Sequence, residues 1–333
     1  MKITTITLQP NQATLTCYVQ DLSAKMPNTD IRPAALIFPG GGYQYCSDRE
    51  AEPIALAYMA EGYNAFVLRY TVGPDCPLEK ALQDAQAALQ YLRDHAQEFR
   101  IDPQKIVAIG FSAGGHLAAA MGTQSPMPLR PNALVLGYAV TLGSMWAPMG
   151  KQSPDLGTLV DAQTPPTFLF TNQGDSVVPV KNSLLFADAL ADEGIPFALH
   201  VFPTGDHGMS LAKPCTSSGE LSQLNPTFAQ WLPMSVSFLQ DIWGSLGVVE
   251  PDPSLVNQMR SWPLSLDAPL KKLIRNPKAK EILKKSLGEK LWKQLEANPM
   301  YYGISLRKVA GFAPDSQEEW LARIDAELAK IEE

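Results

Sequence analysis

The stretch AIGFSAGGHLAA, Ala108–Ala119, contains three small residues, Gly110, Ser112 and Gly114, spaced two apart. An apolar run precedes them and a run of helix-forming residues follows. Because glycines weaken both strands and helices, this spacing indicates a tight turn between a strand and a helix. The turn matches the pattern G-x-S-x-G, in which a strained backbone exposes the serine hydroxyl at the carboxyl edge of a sheet. The alternative is an ordinary glycine-rich turn whose serine caps the helix.

Short apolar runs alternate with helical patterns on both sides of this turn. Strands are predicted at Ile3–Leu8, Ala13–Val19, Ala34–Phe38, Asn64–Tyr70, Ile106–Gly110, Ala133–Ala139, Thr167–Asn172 and Phe197–Phe202. Helices are predicted at Glu50–Glu61, Leu78–Phe99, Ala113–Met121, Val180–Glu193 and Phe228–Leu246. This alternation favours an α/β fold with a mostly parallel central sheet and helices on both faces.

The composition changes near Val249, where VVEPDPS has the character of a linker. The later segments KAKEILKKSLGEKLWKQLEA and DSQEEWLARIDAELAKIEE are rich in Lys, Glu, Leu and Ala and carry no strand signal. We therefore expect an α/β domain over residues 1–249 and a small all-helical C-terminal extension over residues 250–333. The helices of the extension are a candidate surface for forming a homo-oligomer.

Composition and charge exclude several classes of function. The 333-residue chain has a formal net charge of −7, whereas a nucleic-acid-binding protein needs a basic face. No apolar run is long enough to cross a membrane, and MKITTITLQPNQ lacks the apolar core of a signal peptide. The four cysteines show no paired spacing, which favours free thiols and a cytoplasmic location. No metal-binding or nucleotide-binding motif is present, so neither a metal nor another cofactor is expected.

A nucleophilic serine needs a general base, and the chain has four histidines. His207 lies in the loop PTGDHGMS after the last predicted strand, where α/β sheets carry their functional residues. We therefore predict that His207 is the base. The other three histidines receive structural roles. His95 is assigned to a solvated helix end, His116 to packing on the helix after Ser112, and His200 to a strand.

The base in turn needs a carboxylate that orients it. Asp175 follows the apolar strand FLFTN, and the chain order Ser112, Asp175, His207 is one in which such triads occur. Asp206 adjoins His207 and is poorly placed to reach the Nδ1 atom of its own neighbour. Two further aspartates, Asp155 and Asp161, lie in a loop rather than at a strand end. The alternative role for Asp175 is a helix cap.

A glycine run after an early strand supplies the last part of the predicted site. LIFPGGGYQY contains Gly40, Gly41 and Gly42 in succession, and glycines allow backbone N–H groups to approach a ligand closely. We assign the N–H groups of Gly41, Gly42 and Ala113 to an oxyanion hole, which would stabilise the negative charge of a tetrahedral intermediate. The alternative is a flexible turn.

Taken together, these segments resemble the α/β-hydrolases, and more narrowly their bacterial acetylesterase and acetylxylan-esterase-like branch. The resemblance covers about residues 30–245. The segments that carry it are FPGGGYQYCSDREAEPIA, GYNAFVLRY, IDPQKIVAIGFSAGGHLAA, DSVVPVKNSLLFADAL and GDHGMSLA. The resemblance implies that Ser112 is the nucleophile, Asp175 the acid and His207 the base, beside a Gly41–Gly42 oxyanion loop. Members of this branch are often encoded beside xylan-degrading enzymes.

One departure from the wider esterase pattern concerns the residue before the glycine run. Where many esterases have His-Gly-Gly-Gly, this chain has Pro39 in place of the histidine. Pro-Gly-Gly-Gly-Tyr is familiar in the acetylxylan-esterase-like branch. The change removes a residue that helps to brace the loop.

The pocket that binds substrate is predicted from the segments around these residues. Tyr43 and Trp146 are the candidate substrate-binding residues, and the long connection Thr141–Pro165 is a candidate lid or pocket wall. Core packing is the alternative role for Trp146. No long apolar channel is evident, which favours a serine carboxylic-ester hydrolase that removes short acyl groups, acetyl above all, from carbohydrate or small-alcohol esters. The alternatives are a serine peptidase or amidase with the same triad, or a non-catalytic binding protein on this scaffold.

Overall fold

The computed structural model describes residues 1–246, 264–298, 301–310 and 318–331. The chain divides into two compact units. The first comprises Met1–Ala191 and Ile195–Leu255, and the second comprises Asp192–Gly194 and Val256–Glu333. The boundary predicted between residues 249 and 250 lies outside the described residues.

Strands of the first unit form a single sheet. In chain order they are β1 (Lys2–Leu8), β2 (Ala13–Val19), β3 (Arg32–Phe38), β4 (Asn64–Arg69), β5 (Ile101–Phe111), β6 (Ala133–Gly137), β7 (Thr167–Asn172) and β8 (Phe197–Phe202). Their order in the sheet is β1-β2-β4-β3-β5-β6-β7-β8. The β1–β2 and β2–β4 pairs are antiparallel and every later pair is parallel. The carboxyl ends of β3 to β8 therefore meet at one edge.

Helices cover both faces of this sheet, as predicted. They are α1 (Glu52–Ala60), α2 (Leu78–Asp94), α3 (Ala96–Phe99), α4 (Ala113–Thr123), α5 (Lys181–Asp192) and α6 (Trp231–Trp243). Alternate residues of β3 pack into two separate cores, because successive side chains of a strand point to opposite faces. Leu36 and Phe38 pack with α2, α4 and α5, whereas Ala35 and Ile37 pack with α1 and α6.

Many element boundaries differ from the prediction by one to three residues, and three differences have a clear physical reason. Strand β5 begins at Ile101 rather than Ile106, because Ile101 pairs with β3 across a register shift that bypasses the polar residues between them. The helix predicted over Leu78–Phe99 is interrupted at His95, whose backbone leaves the helical region, so α2 and α3 are separate. Residues Asp48–Glu50 form a single 3-10 turn, and α1 therefore begins only at Glu52.

The backbone is tightly packed at the turn between β5 and α4. Ser112 has φ 53° and ψ −117°, a conformation that a residue with a side chain adopts only under strain. A Cβ atom on Gly110 would lie 2.1 Å from the carbonyl oxygen of Gly114, and one on Gly114 would lie 2.0 Å from that of Phe38. Glycine is therefore required at both positions, because β5, the start of α4 and the end of β3 approach one another too closely for a side chain.

The second unit is helical in its described residues. Its helices are α7 (Leu270–Arg275), α8 (Pro277–Glu296), α9 (Leu306–Ala310) and α10 (Glu318–Leu328). Helix α8 contains a kink at Gly288, where φ is 76°. The apolar residues of these helices form a core of their own, centred on Leu270, Leu283 and Trp292. Within the described part of the whole chain, no helix combines the length and the apolar character that spanning a bilayer requires.

We expect Gly114→Ala to lower the free energy of unfolding by about 3 kcal/mol, because the added methyl group would overlap backbone atoms that cannot rotate away. Gly157→Ala is the matched control, since its Cβ would find its nearest neighbours at 3.6 Å and its φ is not positive. Urea unfolding monitored by tryptophan fluorescence measures both. Equal midpoints for the two variants would contradict the close-approach explanation.

Candidate active site

Three side chains from three loops at the carboxyl edge of the sheet form one chain of hydrogen bonds. Ser112 Oγ lies 2.9 Å from His207 Nε2, and His207 Nδ1 lies 2.8 Å from Asp175 Oδ2. Ser112 follows β5, Asp175 follows β7 and His207 follows β8. The Asp175 side chain is fully buried, whereas that of His207 is 17% exposed. The structure thus brings together the three residues that the sequence nominates.

Asp175 is held so that one of its oxygens is free for the imidazole. Its Oδ1 accepts hydrogen bonds from the backbone N–H groups of Val177 and Val178, at 2.9 and 2.7 Å. These bonds form at the start of the segment that leads into α5, so the helix-cap alternative and the orienting role use different oxygens of the same carboxylate. Oδ2 is left to accept from His207 Nδ1.

Asp206, the neighbour of His207, braces the loop and does not contact the imidazole. Its Oδ1 accepts from the backbone N–H and the hydroxyl of Ser176 and from the N–H of His207, at 2.8 to 2.9 Å. These hydrogen bonds, led by the one from the Ser176 N–H, lower the pKa of Asp206. Of the two loop aspartates weighed earlier, Asp161 forms an ion pair with Arg130, and Asp155 accepts from the N–H of Gly143.

The glycine run after β3 forms a turn beside the nucleophile. Gly41 and Gly42 have φ of 123° and 62°, and a Cβ on Gly41 would lie 2.2 Å from the carbonyl oxygen of Tyr45. Across the described residues, the N–H groups of Gly41 and Gly42 have no protein acceptor. Ala113 is the first residue of α4, where an N–H group has no partner within the helix. All three residues line the same cavity as Ser112 and His207.

Glu50 is a buried residue of this site that sequence reasoning missed, because it was assigned to the start of a helix. Its side chain accepts from the N–H of Gly40 at 2.8 Å and from the hydroxyl of Tyr138 at 2.5 Å. The hydroxyl of Tyr70 donates to the carbonyl oxygen of Pro39 at 2.6 Å. Glu50 and Tyr70 therefore brace the glycine loop that lacks the histidine of the wider esterase pattern. No pattern in a single sequence distinguishes Glu50 from its exposed neighbour Glu52.

The cavity above these residues has a volume of about 560 Å³ and two unlike sides. Its apolar wall is formed by Val140, Met145, Trp146, Met149, Val177 and Val178. Its polar rim is formed by Ser47, Asp48, Arg49 and Ser218. Three members of the apolar wall, Met145, Trp146 and Met149, belong to the connection Thr141–Pro165, which contains only short 3-10 segments. The lining of the cavity is therefore mixed in character.

The two candidate substrate-binding residues have different positions. Trp146 lines the cavity, although only 2% of its surface is exposed. Tyr43 does not line the cavity and lies behind it, where its ring packs edge-on against Tyr70, His116 and Trp146. The assignment of Tyr43 to substrate binding is therefore corrected: its hydroxyl is used by His116 Nδ1, at 2.8 Å. Tyr45, two residues later, lines the cavity and is 62% exposed.

The thiol of Cys46, which lies in the cavity wall, does not compete with Ser112 as a nucleophile. Cys46 lines the cavity, but burial raises its pKa from 9.0 to about 11, so the thiol stays protonated at neutral pH. All four cysteines are free. Over the described ranges, no group of three or more His, Cys, Asp or Glu side chains is placed to hold a metal ion.

His116 is buried one turn into α4 and is held neutral. Its Nδ1 and Nε2 atoms lie 2.8 Å from the hydroxyl groups of Tyr43 and Ser153. Desolvation lowers its pKa from 6.5 to about 3. Since one ring nitrogen donates and the other accepts, the neutral ring satisfies both contacts, and His116 ties α4 to the connection that forms the apolar wall.

The depressed pKa of His116 makes the stability of the protein depend on pH. Below pH 6.5 the unfolded chain takes up a proton at this residue that the folded chain does not, so folding loses about 1.4 kcal/mol per pH unit from this residue down to about pH 3. We expect His116→Gln to flatten the pH dependence of the free energy of unfolding between pH 6.5 and 4.5. Urea unfolding at several pH values measures this dependence. His95→Gln is the control, because it removes a histidine that is only half-buried. Parallel curves for wild type and His116→Gln would contradict the assignment.

Comparison with known proteins gives relatives for most of the first unit. Residues 21–135 match the model of the BD-FAE family, and residues 151–229 match that of the prolyl oligopeptidase family. The chain is 36% identical over 224 residues to endo-1,4-beta-xylanase B of Butyrivibrio fibrisolvens, and 29% identical over 203 residues to an acetylxylan esterase of Xylanibacter ruminicola. These matches cover 59% and 55% of this chain but only 35% and 42% of the two relatives.

Matches to solved structures span nearly the whole length of the solved chains. An alpha/beta hydrolase enzyme from a Medee basin deep-sea metagenome library is 46% identical, with a TM-score of 0.68, and the match covers 72% of this chain and 97% of that one. An acetyl ester-xyloside bifunctional hydrolase from Caldicellulosiruptor lactoaceticus is 34% identical, with a TM-score of 0.60, and the match covers 71% of this chain and 90% of that one. With this identity over nearly the whole of both enzymes, and with the serine turn on a mostly parallel sheet, the chain belongs to the α/β-hydrolase family.

Proposed function

We propose that the protein is a serine carboxylic-ester hydrolase that removes short acyl groups, acetyl above all, from esters of carbohydrates or small alcohols. The unbroken series of hydrogen bonds from Ser112 through His207 to Asp175 is the main support for this proposal. A second support is the group of backbone donors at Gly41, Gly42 and Ala113 in the same cavity. In this proposal Ser112 is the nucleophile, His207 the base and Asp175 the orienting carboxylate. The three backbone donors form the oxyanion hole.

The first half of the reaction forms an acyl-enzyme. Ser112 Oγ adds to the ester carbonyl carbon while its proton passes to His207 Nε2. Asp175 stabilises the resulting imidazolium through Nδ1, and the former carbonyl oxygen, now negative, accepts from the backbone N–H groups. The intermediate collapses by breaking the carbon–oxygen bond to the alcohol. His207 returns its proton to the departing alkoxide, which leaves as the free alcohol.

The second half of the reaction releases the acid. His207 takes a proton from a water molecule, whose oxygen adds to the acyl carbon and forms a second tetrahedral intermediate. The bond to Ser112 Oγ then breaks and His207 protonates the serine. The free acid leaves and the enzyme returns to its starting state. Losing one oxyanion donor costs about 3 to 4 kcal/mol of transition-state stabilisation.

The two sides of the cavity support the choice of substrate. An apolar wall that includes Trp146 and two methionines suits a short acyl group, and the rim of Ser47, Asp48, Arg49 and Ser218 suits an alcohol rich in hydroxyl groups. The relatives named for acetylxylan ester and acetyl ester-xyloside hydrolysis point to acetylated sugars of the xylan type. Trp146 is the wall residue that we propose limits acyl length.

A second candidate function is a peptidase or amidase with the same triad. The match of residues 151–229 to the prolyl oligopeptidase family favours it, because this segment carries Asp175 and His207. Hydrolysis of p-nitroanilides by the purified protein distinguishes the two functions. An amide rate near the ester rate would favour the peptidase.

We propose two further properties, a location and an assembly. Four free cysteines are in keeping with a cytoplasmic location, where thiols stay reduced. A homo-oligomer that forms through the C-terminal helices is the proposed assembly. Light scattering on the full chain checks the assembly, and a monomeric mass would exclude it.

We expect Ser112→Ala to lower kcat for p-nitrophenyl acetate by at least about 10⁴-fold, because the nucleophile is lost while the fold is kept. Ser125→Ala is the control, since Ser125 is a buried serine that lies away from the cavity, where its hydroxyl accepts from Gln86. Its rate should equal that of the wild type. Equal rates for Ser112→Ala and wild type would exclude Ser112 as nucleophile.

The acyl and alcohol groups are tested by p-nitrophenyl esters from acetate to octanoate, with acetylated xylo-oligosaccharide as a second substrate. We expect kcat/KM to be highest for acetate and to fall as the chain lengthens, because the wall formed by Trp146, Met145 and Met149 limits the acyl pocket. Release of acetate from the oligosaccharide would support the carbohydrate assignment. A maximum at hexanoate or octanoate would contradict the acetyl assignment while leaving the triad intact.

A further inference from the structure

Glu50 is a buried carboxylate that the proposed reaction does not use. Only 3% of its surface is exposed, although it lies between Arg49 and Ala51 on a single 3-10 turn. Its hydrogen bonds come from two neutral donors, a backbone N–H and a phenol. Burying a carboxylate is costly unless its oxygens are satisfied, so this position calls for an explanation beyond the local fold.

One oxygen of Glu50 holds the oxyanion loop. Oε2 accepts from the N–H of Gly40 at 2.8 Å, and a Cβ on Gly40 would lie 2.6 Å from that oxygen and 3.1 Å from Ser112 Cβ. Gly40 immediately precedes Gly41 and Gly42, whose N–H groups are the proposed oxyanion donors. A change in the orientation of the Gly40 peptide therefore changes the directions of the next two N–H groups.

The other oxygen of Glu50 holds the loop of the base through Tyr138. The Tyr138 hydroxyl accepts from the N–H of Ser210 at 3.0 Å and donates to Glu50 Oε1 at 2.5 Å. Ser210 lies three residues after His207. The Tyr138 ring also packs edge-on against the His207 imidazole, with ring centres 5.0 Å apart. Tyr138 thus contacts both the imidazole and the backbone of its loop.

The hydrogen bonds also fix the role of each group. An N–H can only donate, so Gly40 and Ser210 require acceptors, and the proton of Tyr138 is left for Glu50. Both oxygens of Glu50 therefore accept, which a carboxylate satisfies, whereas an amide side chain offers one acceptor for the two donors. Burial raises the pKa of Glu50, and the hydrogen bonds from Tyr138 and Gly40 act in the opposite direction.

We propose that Glu50 is a positioning residue that joins the oxyanion loop to the loop of the general base, through Gly40 on one side and Tyr138 with Ser210 on the other. The proposal rests on the function proposed above, because an oxyanion hole and a base have roles only in that reaction. Misplaced donors weaken binding of the transition state far more than binding of the substrate. Loss of the hydrogen bonds of Glu50 should therefore lower kcat and leave KM nearly unchanged.

The test compares Glu50→Gln, Tyr138→Phe and the double variant. Glu50→Gln keeps the shape of the side chain but offers one acceptor to the two donors, Gly40 N–H and the Tyr138 hydroxyl. Tyr138→Phe keeps the ring beside His207 but removes the hydroxyl that joins Glu50 to Ser210. We expect each to lower kcat for p-nitrophenyl acetate about 10- to 100-fold, with KM within about threefold of wild type. The double variant should be no slower than the slower single variant, since both break one network. Labelling of Ser112 by a fluorophosphonate should slow in parallel.

Asp84→Asn is the matched control. Asp84 is 1% exposed, lies on α2 away from the cavity, and accepts from Asn11 and from the N–H and hydroxyl of Thr71, at 2.6 to 2.9 Å. We expect Asp84→Asn to lower the melting temperature and to leave kcat per folded molecule unchanged. The folded fraction is measured by circular dichroism for every variant.

Two results would overturn the proposal. One is a kcat and a labelling rate for Tyr138→Phe and for folded Glu50→Gln within about threefold of wild type, and the other is strictly multiplicative losses in the double variant. Failure of the proposed function is seen separately, as a wild type that hydrolyses none of the esters. In that case slower labelling of Ser112 in Tyr138→Phe would still support positioning, and unchanged labelling would overturn it. If Glu50→Gln does not fold, Tyr138→Phe decides the question alone.

Discussion

The contact of backbone against backbone at Gly114 is the constraint on which the site depends. Helix α4 can begin beside the end of β3 only because neither Gly110 nor Gly114 carries a side chain. The same approach brings the first N–H group of α4 to the cavity that the glycine run after β3 also lines. The strained backbone of Ser112, which costs about 1 to 3 kcal/mol, is held by its N–H bond to Gly137 and by the bond from His116 to its carbonyl.

Three carboxylates lie near one imidazole, and their hydrogen-bond partners separate their roles. Asp175 gives one oxygen to the backbone and the other to His207 Nδ1. Asp206 uses an oxygen for the loop that carries His207, and Glu50 has both oxygens occupied by donors from two other segments. Asp206 is the immediate neighbour of the histidine in the chain, yet it makes no hydrogen bond to the imidazole. The contact to Nδ1, made by Asp175, separates the three roles.

Much of the fold was predictable because its signals are local. Runs of apolar residues separated by helical patterns give β2, β7 and β8 at their observed limits, and the glycine spacing predicts the turn at Ser112. The family assignment and the helices on both faces are confirmed as well. Strand β5 was predicted too short, since its first residues are polar and are held in the sheet by pairing with β3, a contact between distant parts of the chain.

The site was less predictable where burial depends on tertiary packing. Tyr43 follows the glycine run, and proximity in sequence placed it in the pocket, whereas its positive φ of 58° goes with a buried position against Trp146 and His116. Glu50 has the same character: only the fold brings Gly40 and Tyr138 to it from segments that lie 10 and 88 residues away. Long-range contacts of this kind leave no periodic trace in the chain.

The bond between His116 and Ser153 has an evolutionary consequence. Met145, Trp146 and Met149 all belong to the one connection between β6 and β7, so its replacement would change the proposed acyl wall without altering the loops of Asp175 and His207. His116, however, attaches that connection to α4, the helix that follows Ser112. A new version of this connection must therefore retain, at the position of Ser153, a hydroxyl or an equivalent partner for a neutral imidazole.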